Sequence, residues 1–190
     1  QLKCMEQCPD AALVLSDSMD KWLRRQPELL DAVISRSHIT MMNEDEAKEY
    51  AQAFTVMEAG EFLLSKGAAY AVVKQGEYGA TLLGRDAGGN LRIFRCPAYP
   101  LKTLVDPTGA GDTFLGALAG YLSTLPPGLP PFEEVKRGIV YGTVAASFTC
   151  ESFSADALLS MTKETFRRRL EEYAEMCRLP DIRLSSASAC

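Results

Sequence analysis

Three short apolar runs, each set off by stretches with helical spacing, most constrain what this chain can become. AALVL at 11–15, HITMM at 38–42 and YAVV at 70–73 are short, apolar and bounded by polar residues. That is the pattern of strands buried on both faces of a sheet. Between the first two runs, apolar residues fall at 22, 23, 29, 30, 33 and 34, with Pro27 interrupting the helical spacing. Two helical pieces are expected there, with Pro27 in the first turn of the second. Asn43 is the expected cap of a helix running through Ala53. A further helix at 58–65 is stopped by Gly67, since glycine accepts the left-handed conformation that ends helices.

After the third run the pattern changes. Gln75-Gly76-Glu77-Tyr78-Gly79 reads as a turn between two extended segments, and the tight turn DAGGN at 86–90 leads into another strand at 91–95. Pro97 and Pro100 mark a loop. A helix follows to about Thr124, and four prolines within 125–131 form a linker to a long helix at 132–149 rich in small residues. A short helical turn within 154–161 and a final helix at 162–177 capped by Thr162 complete the order, with a polar, frayed tail from Pro180. The predicted architecture is one α/β domain over residues 1–190, a mainly parallel sheet with helices on both faces.

Composition narrows the function. The net charge of -5 argues against nucleic acid as the main partner. The one basic cluster, Arg167-Arg168-Arg169, reads as a solvated helix face paired with Glu171, Glu172 and Glu175. No run of 18 apolar residues occurs, so no membrane span is expected. Six cysteines at irregular spacing, without C-x-x-C and with His38 the single histidine, disfavour zinc and a disulfide framework and suit reduced thiols in the cytoplasm. Trp22 is expected in the core, and His38 is expected to be a strand-end residue without a catalytic part. Asp17 ends the first strand, where it either caps a turn or helps to position phosphate or metal.

The chemistry concentrates in D-P-T-G-A-G-D-T-F at 106–114, which runs into the small, apolar LGALAGYL. Gly109 and Gly111 let the backbone turn tightly and let a ligand approach. Asp112 falls in the first turn of the following helix, where free N–H groups favour an anion. An anion cradle beside a carboxylate suits phosphoryl transfer to an alcohol: amides hold the phosphate charge and the carboxylate accepts the hydroxyl proton.

This stretch resembles the second signature of the PfkB/ribokinase-like carbohydrate and nucleoside kinases, D-[TP]-x-G-A-G-D-x-F. Asn43-Glu44-Asp45-Glu46 is similar to the family's N-x-x-E, and residues 74–80 (KQGEYGA) to its strand-turn-strand nucleotide segment. Residues 147–151 with Phe153 look like the loop after its adenine-flanking helix. The resemblance runs from Ala11 to Arg169 and covers the family's C-terminal half. It implies a three-layer ribokinase-like fold with the N-terminal part and lid missing.

The resemblance also implies an ATP-dependent transfer of the γ-phosphate to an alcohol group of a sugar or nucleoside. Asp112 is then the catalytic base, and Gly109, Ala110 and Gly111 supply the anion hole. Asn43, Lys74, Gly76, Gly79, Gly142 and Ala146 would contact nucleotide. Glu46 with Asn43 would organise Mg2+ through water; the same spacing also makes a helix capping box. Lys74 either pairs with phosphate or is exposed at a strand end. Asp106 and Thr108, with main chain near Thr149 and Ser154, resemble a monovalent-cation site for K+. Ser154 replaces the glycine usual after phenylalanine there. The family's glycine-pair signature and acceptor platform are not found, and the chain opens at Gln1. It is therefore expected to be a fragment with weak or no activity alone, from a parent that allows a homodimer. The alternative is a nucleotide-binding or pseudokinase module without turnover.

Overall fold

The structure, a computed structural model, describes residues 1–180. The expected tail, 180–190, lies outside the described residues except for Pro180. The elements run α1 (Leu2–Gln7), β1 (Leu15–Asp17), α2 (Asp20–Arg25), α3 (Pro27–Ile34), β2 (Ile39–Asn43), α4 (Glu44–Ala51), α5 (Val56–Ser65) and β3 (Tyr70–Lys74). Then come β4 (Ala80–Arg85), β5 (Leu91–Cys96), α6 (Ala110–Leu122), α7 (Phe132–Thr149), α8 (Asp156–Ser160) and α9 (Lys163–Met176). A single 3-10 turn, Gly76–Tyr78, separates β3 from β4.

The five strands form one sheet in sequence order, β1-β2-β3-β4-β5. β1, β2 and β3 pair in parallel; β4 and β5 continue the sheet antiparallel. With helices on both faces, this gives the three layers that the resemblance implies. Alternation along the strands builds a core on each face. Ile39, Met41, Tyr70, Val72 and Leu82 face α6, α7 and α9, with Phe114, Leu118, Val135 and Ile139 among their partners. Met42, Ala71, Val73 and Leu83 face the other way, toward Leu23, Leu30, Ile34, Ala59 and Leu63 of α2, α3 and α5.

Several boundaries follow the sequence closely. Pro27 opens α3, and Gly67 takes φ +113 just after α5. Thr162 caps α9 through a capping box with Thr165. Three expectations are corrected. The first strand lies at 15–17 rather than 11–15, because its pairing starts where β2 starts: the Val14 carbonyl accepts from the N–H groups of His38 and Ile39, and Ser16 Oγ meets Thr40 Oγ1 at 3.2 Å. Trp22 is 45% exposed, not core. Residues 147–149 belong to the last turn of α7, not to the loop after it.

Candidate functional site

The carboxyl ends of the parallel strands carry one set of polar side chains, of which Lys74 lines the cleft. Asn43 ends β2 and Lys74 ends β3, and the two are register partners. Asp17 ends β1 and forms an ion pair with Lys74. Both side chains of that pair are largely buried, so Asp17 is neither a simple turn cap nor solvated: it holds the lysine. The lysine in turn reaches the glycine turn. A Cβ added to Gly111 would lie 3.3 Å from Lys74 Nζ. An ammonium therefore stands against the start of α6, where the helix dipole already favours negative charge.

The turn itself is built by local chemistry. Asp106 Oδ1 accepts from the Thr108 N–H at 2.9 Å, which holds the Asp106 carboxyl below the usual carboxylate range. Gly109 adopts φ +82, a left-handed conformation suited to glycine, and precedes the first helical residue. The Pro107 carbonyl takes the Ala110 N–H at 3.1 Å. Of the three amides of 109–111, that of Ala110 is thus engaged within the turn. The Gly111 and Asp112 amides have no partner within α6, because helix geometry gives the first turn none. Asp112 lies in that first turn with an exposed carboxylate. The Val105 N–H donates to the Cys150 carbonyl at 2.9 Å, and Thr113 Oγ1 meets Thr149 Oγ1 at 2.8 Å. These bonds tie the turn to the end of α7.

A cleft of about 540 Å³ opens beside this turn, lined by Lys74, Gly76, Gly79, Ala110, Gly111 and Ala146 among others. One wall is apolar, with Tyr99, Leu101, Leu104 and Ala146 contributing. Gly79 lines the cleft under tight constraint: it takes φ +92, and a Cβ there would overlap the Cys96 carbonyl oxygen and sit 2.6 Å from the Pro97 carbonyl carbon. Gly76, at φ +55, has open space around it.

Other expected residues fall elsewhere. Gly142 falls outside the cleft lining, where α7 packs on Phe114, whose carbonyl oxygen would be 2.9 Å from an added Cβ. Asn43 lies outside the cleft lining and forms the capping box of α4 with Glu46: Asn43 Oδ1 accepts from Glu46 N at 2.8 Å, and Glu46 Oε2 accepts from Asn43 N at 3.2 Å. Glu46 is 8% exposed. Ser154 keeps φ +56, so the loop after α7 holds the left-handed conformation without glycine. His38 sits before β2, its Nδ1 accepting from Val14 N at 3.0 Å. No helix among the described residues is long and apolar enough to cross a membrane.

The sequence pattern gave no sign of Arg169's place. Its guanidinium lies 3.6 Å from the Phe148 ring centroid and 4.9 Å from that of Tyr99, and pairs with Glu151 at 2.7 Å. The expected solvated face holds for Arg167, which pairs with Glu164 and Glu171. Arg169 stands two residues on, about 200° around the helix, and so meets a different environment.

A three-layer α/β domain with a cleft at its strand ends defines the class. Within that class the chain belongs to the pfkB family of carbohydrate kinases, whose family model matches residues 2–161. It is similar to the cytidine kinase of Thermococcus kodakarensis, with 35% identity over 122 residues, 63% of this chain and 40% of that protein. Aminoimidazole riboside kinase of Salmonella enterica, solved with aminoimidazole riboside and an ATP analogue, superposes with a TM-score of 0.74 at 23% identity. That match covers 89% of this chain and 56% of the other. A ribokinase of Thermotoga maritima gives a TM-score of 0.62 at 24% identity over 86% of this chain and 49% of the other. The chain thus spans about half the length of these relatives.

Proposed function

We propose that this chain is the nucleotide-handling part of an ATP-dependent phosphotransferase that passes the γ-phosphate to an alcohol group of a small sugar or nucleoside. The observation that carries the reading is Lys74 Nζ held against the Gly111 turn at the rim of the cleft. Triphosphate oxygens would meet the lysine and the Gly111 and Asp112 amides, while the apolar wall with Tyr99 and Ala146 suits a flat base. Asp112 would take the proton of the acceptor hydroxyl as its oxygen attacks phosphorus.

Mg2+ fits one carboxylate and one amide when it keeps several waters, and Glu46 with Asn43 offers that pair. Both side chains already serve the capping box, so a metal there would be reached through its waters. When bound, the metal would neutralise phosphate charge. Asp106 and Thr108, with the main chain near Thr149 and Ser154, would hold K+ in the same reading. A structure from E. coli assigned as a ribokinase II carries ATP and Mg2+, which supports that pairing of ligands.

ATP at a hundred times its Kd should raise stability by about 2.7 kcal/mol, and NAD should not. Thermal melts with each nucleotide read this. Absence of an ATP shift would overturn the reading. Asp112→Asn should preserve the ATP shift and lower measured transfer by about 10²–10⁴-fold. Transfer by this chain across a panel of sugars and nucleosides is expected to be weak, since about half the relatives' length is present. Robust turnover would overturn that expectation.

A further inference from the structure

Arg169 does not belong to the phosphate machinery, yet it touches two residues that line the cleft. Its Nη1 donates to Ser147 Oγ at 2.9 Å, and its Nη2 binds Glu151 at 2.7 Å. The guanidinium face covers Phe148 and approaches Tyr99. Tyr99 and Ser147 both line the cleft. Tyr99 Oη also donates to Glu172 of the same helix at 3.2 Å, so α9 grips the tyrosine at two points. Only 16% of the Arg169 side chain is exposed, although it sits in a run of three arginines.

This arrangement also settles where one proton goes. Ser147 Oγ accepts from Arg169 and donates to the Val144 carbonyl at 2.6 Å. A hydroxyl has one proton, so Ser147 has none to offer a ligand. The wall beside Tyr99 and Ala146 therefore meets a bound base by shape and apolar contact rather than by a Ser147 hydrogen bond.

We infer that Arg169 is a positioning residue that fixes the base-side wall of the cleft, through Tyr99 and Ser147, for a purine-sized ring on a triphosphate. The inference rests on the nucleotide reading above. Arginine's planar fork suits this position, because it satisfies Ser147 and Glu151 at once while stacking between two rings. Lysine offers neither the fork nor the flat face.

The test uses the 190-residue chain and calorimetric binding of two probes, ATP and inorganic tripolyphosphate. The second carries the charge without a base. Arg169→Met should weaken ATP by about tenfold, equivalent to about 1.4 kcal/mol, while tripolyphosphate affinity stays within twofold. Arg169→Lys should recover less than half of that loss, and Arg167→Met should change neither probe. Equal weakening of both probes, or unchanged ATP affinity in a folded Arg169 variant, would overturn the inference while leaving the nucleotide reading standing. If wild type binds neither probe, both fall together. Should Arg169→Met fail to fold, Arg169→Lys and Tyr99→Leu carry the same comparison, with ATP weakened and tripolyphosphate spared.

Discussion

The cleft is bounded by two glycine turns that use their glycines for opposite reasons. At Gly79 the chain itself fills the space: the Cys96 carbonyl and Pro97 occupy the place of a side chain. At Gly109 and Gly111 the chain leaves the space free. An added Cβ on Gly109 would meet nothing closer than the Thr149 methyl at 3.9 Å, and one on Gly111 only the end of the Lys74 side chain. Sequence alone shows glycine at all three positions. The difference teaches that the first turn is needed to fold and that the second keeps room beside its amides, the room the proposed anion site would use.

Substitutions separate the two turns. Gly79→Ala should have the largest effect, destabilising the fold by about 4 kcal/mol or more, since both φ and backbone overlap oppose it. Urea unfolding measures this, and a loss under about 1 kcal/mol would break the contrast. Gly111→Ala should leave the unfolding midpoint unchanged or slightly raised, because alanine favours a helix over glycine by about 1 kcal/mol. It should still weaken ATP binding by roughly tenfold as Lys74 is pushed aside. A destabilised Gly111→Ala with normal ATP affinity would merge the two turns into one kind. Smallest is Ser154→Gly: relieving a non-glycine residue at φ +56 should stabilise by about 1 kcal/mol without altering ATP affinity. Melting curves check it, and a destabilised variant would show that the serine side chain supports the loop.

Much of the fold was legible because its elements obey strong local rules. Pro27, Gly67 and Thr162 punctuate helices where backbone geometry requires them. The expected bounds of α7, 132–149, match because a proline-rich linker starts it and the following loop turns at Ser154. What was illegible depended on neighbours distant in sequence. β1 shifted because an edge strand takes its register from β2. Trp22 lies exposed because helix spacing tells which face it shares, not what covers that face. Gly142 and Ala146 stand one turn apart on α7, yet Phe114 claims one and the cleft the other.

The site divides the same way. The Asp106–Asp112 turn could be read from its residues, since Asx bonding, left-handed glycine and a helix start are local events. The Asn43–Glu46 spacing fitted both a cap and a metal pair, and the cap is what the geometry forms. The Asp17–Lys74 pair and the Arg169 clamp join residues 57 and 18–22 positions apart. No spacing rule connects them; the folded sheet and α9 do.

Because the strands stand side by side in the order in which they occur in the chain, every sheet pairing joins consecutive strands. Among the described residues, the closures that build this sheet are therefore those between neighbouring strands in the chain. Topology of this kind favours quick assembly. The β3–β4–β5 meander, joined by tight turns, has the shortest closures and is placed to form first. β1 joins β2 only after a two-helix crossover and would add at the margin. In hydrogen-exchange terms, the slowest amides should lie in β3, which is paired on both sides and buried on both faces.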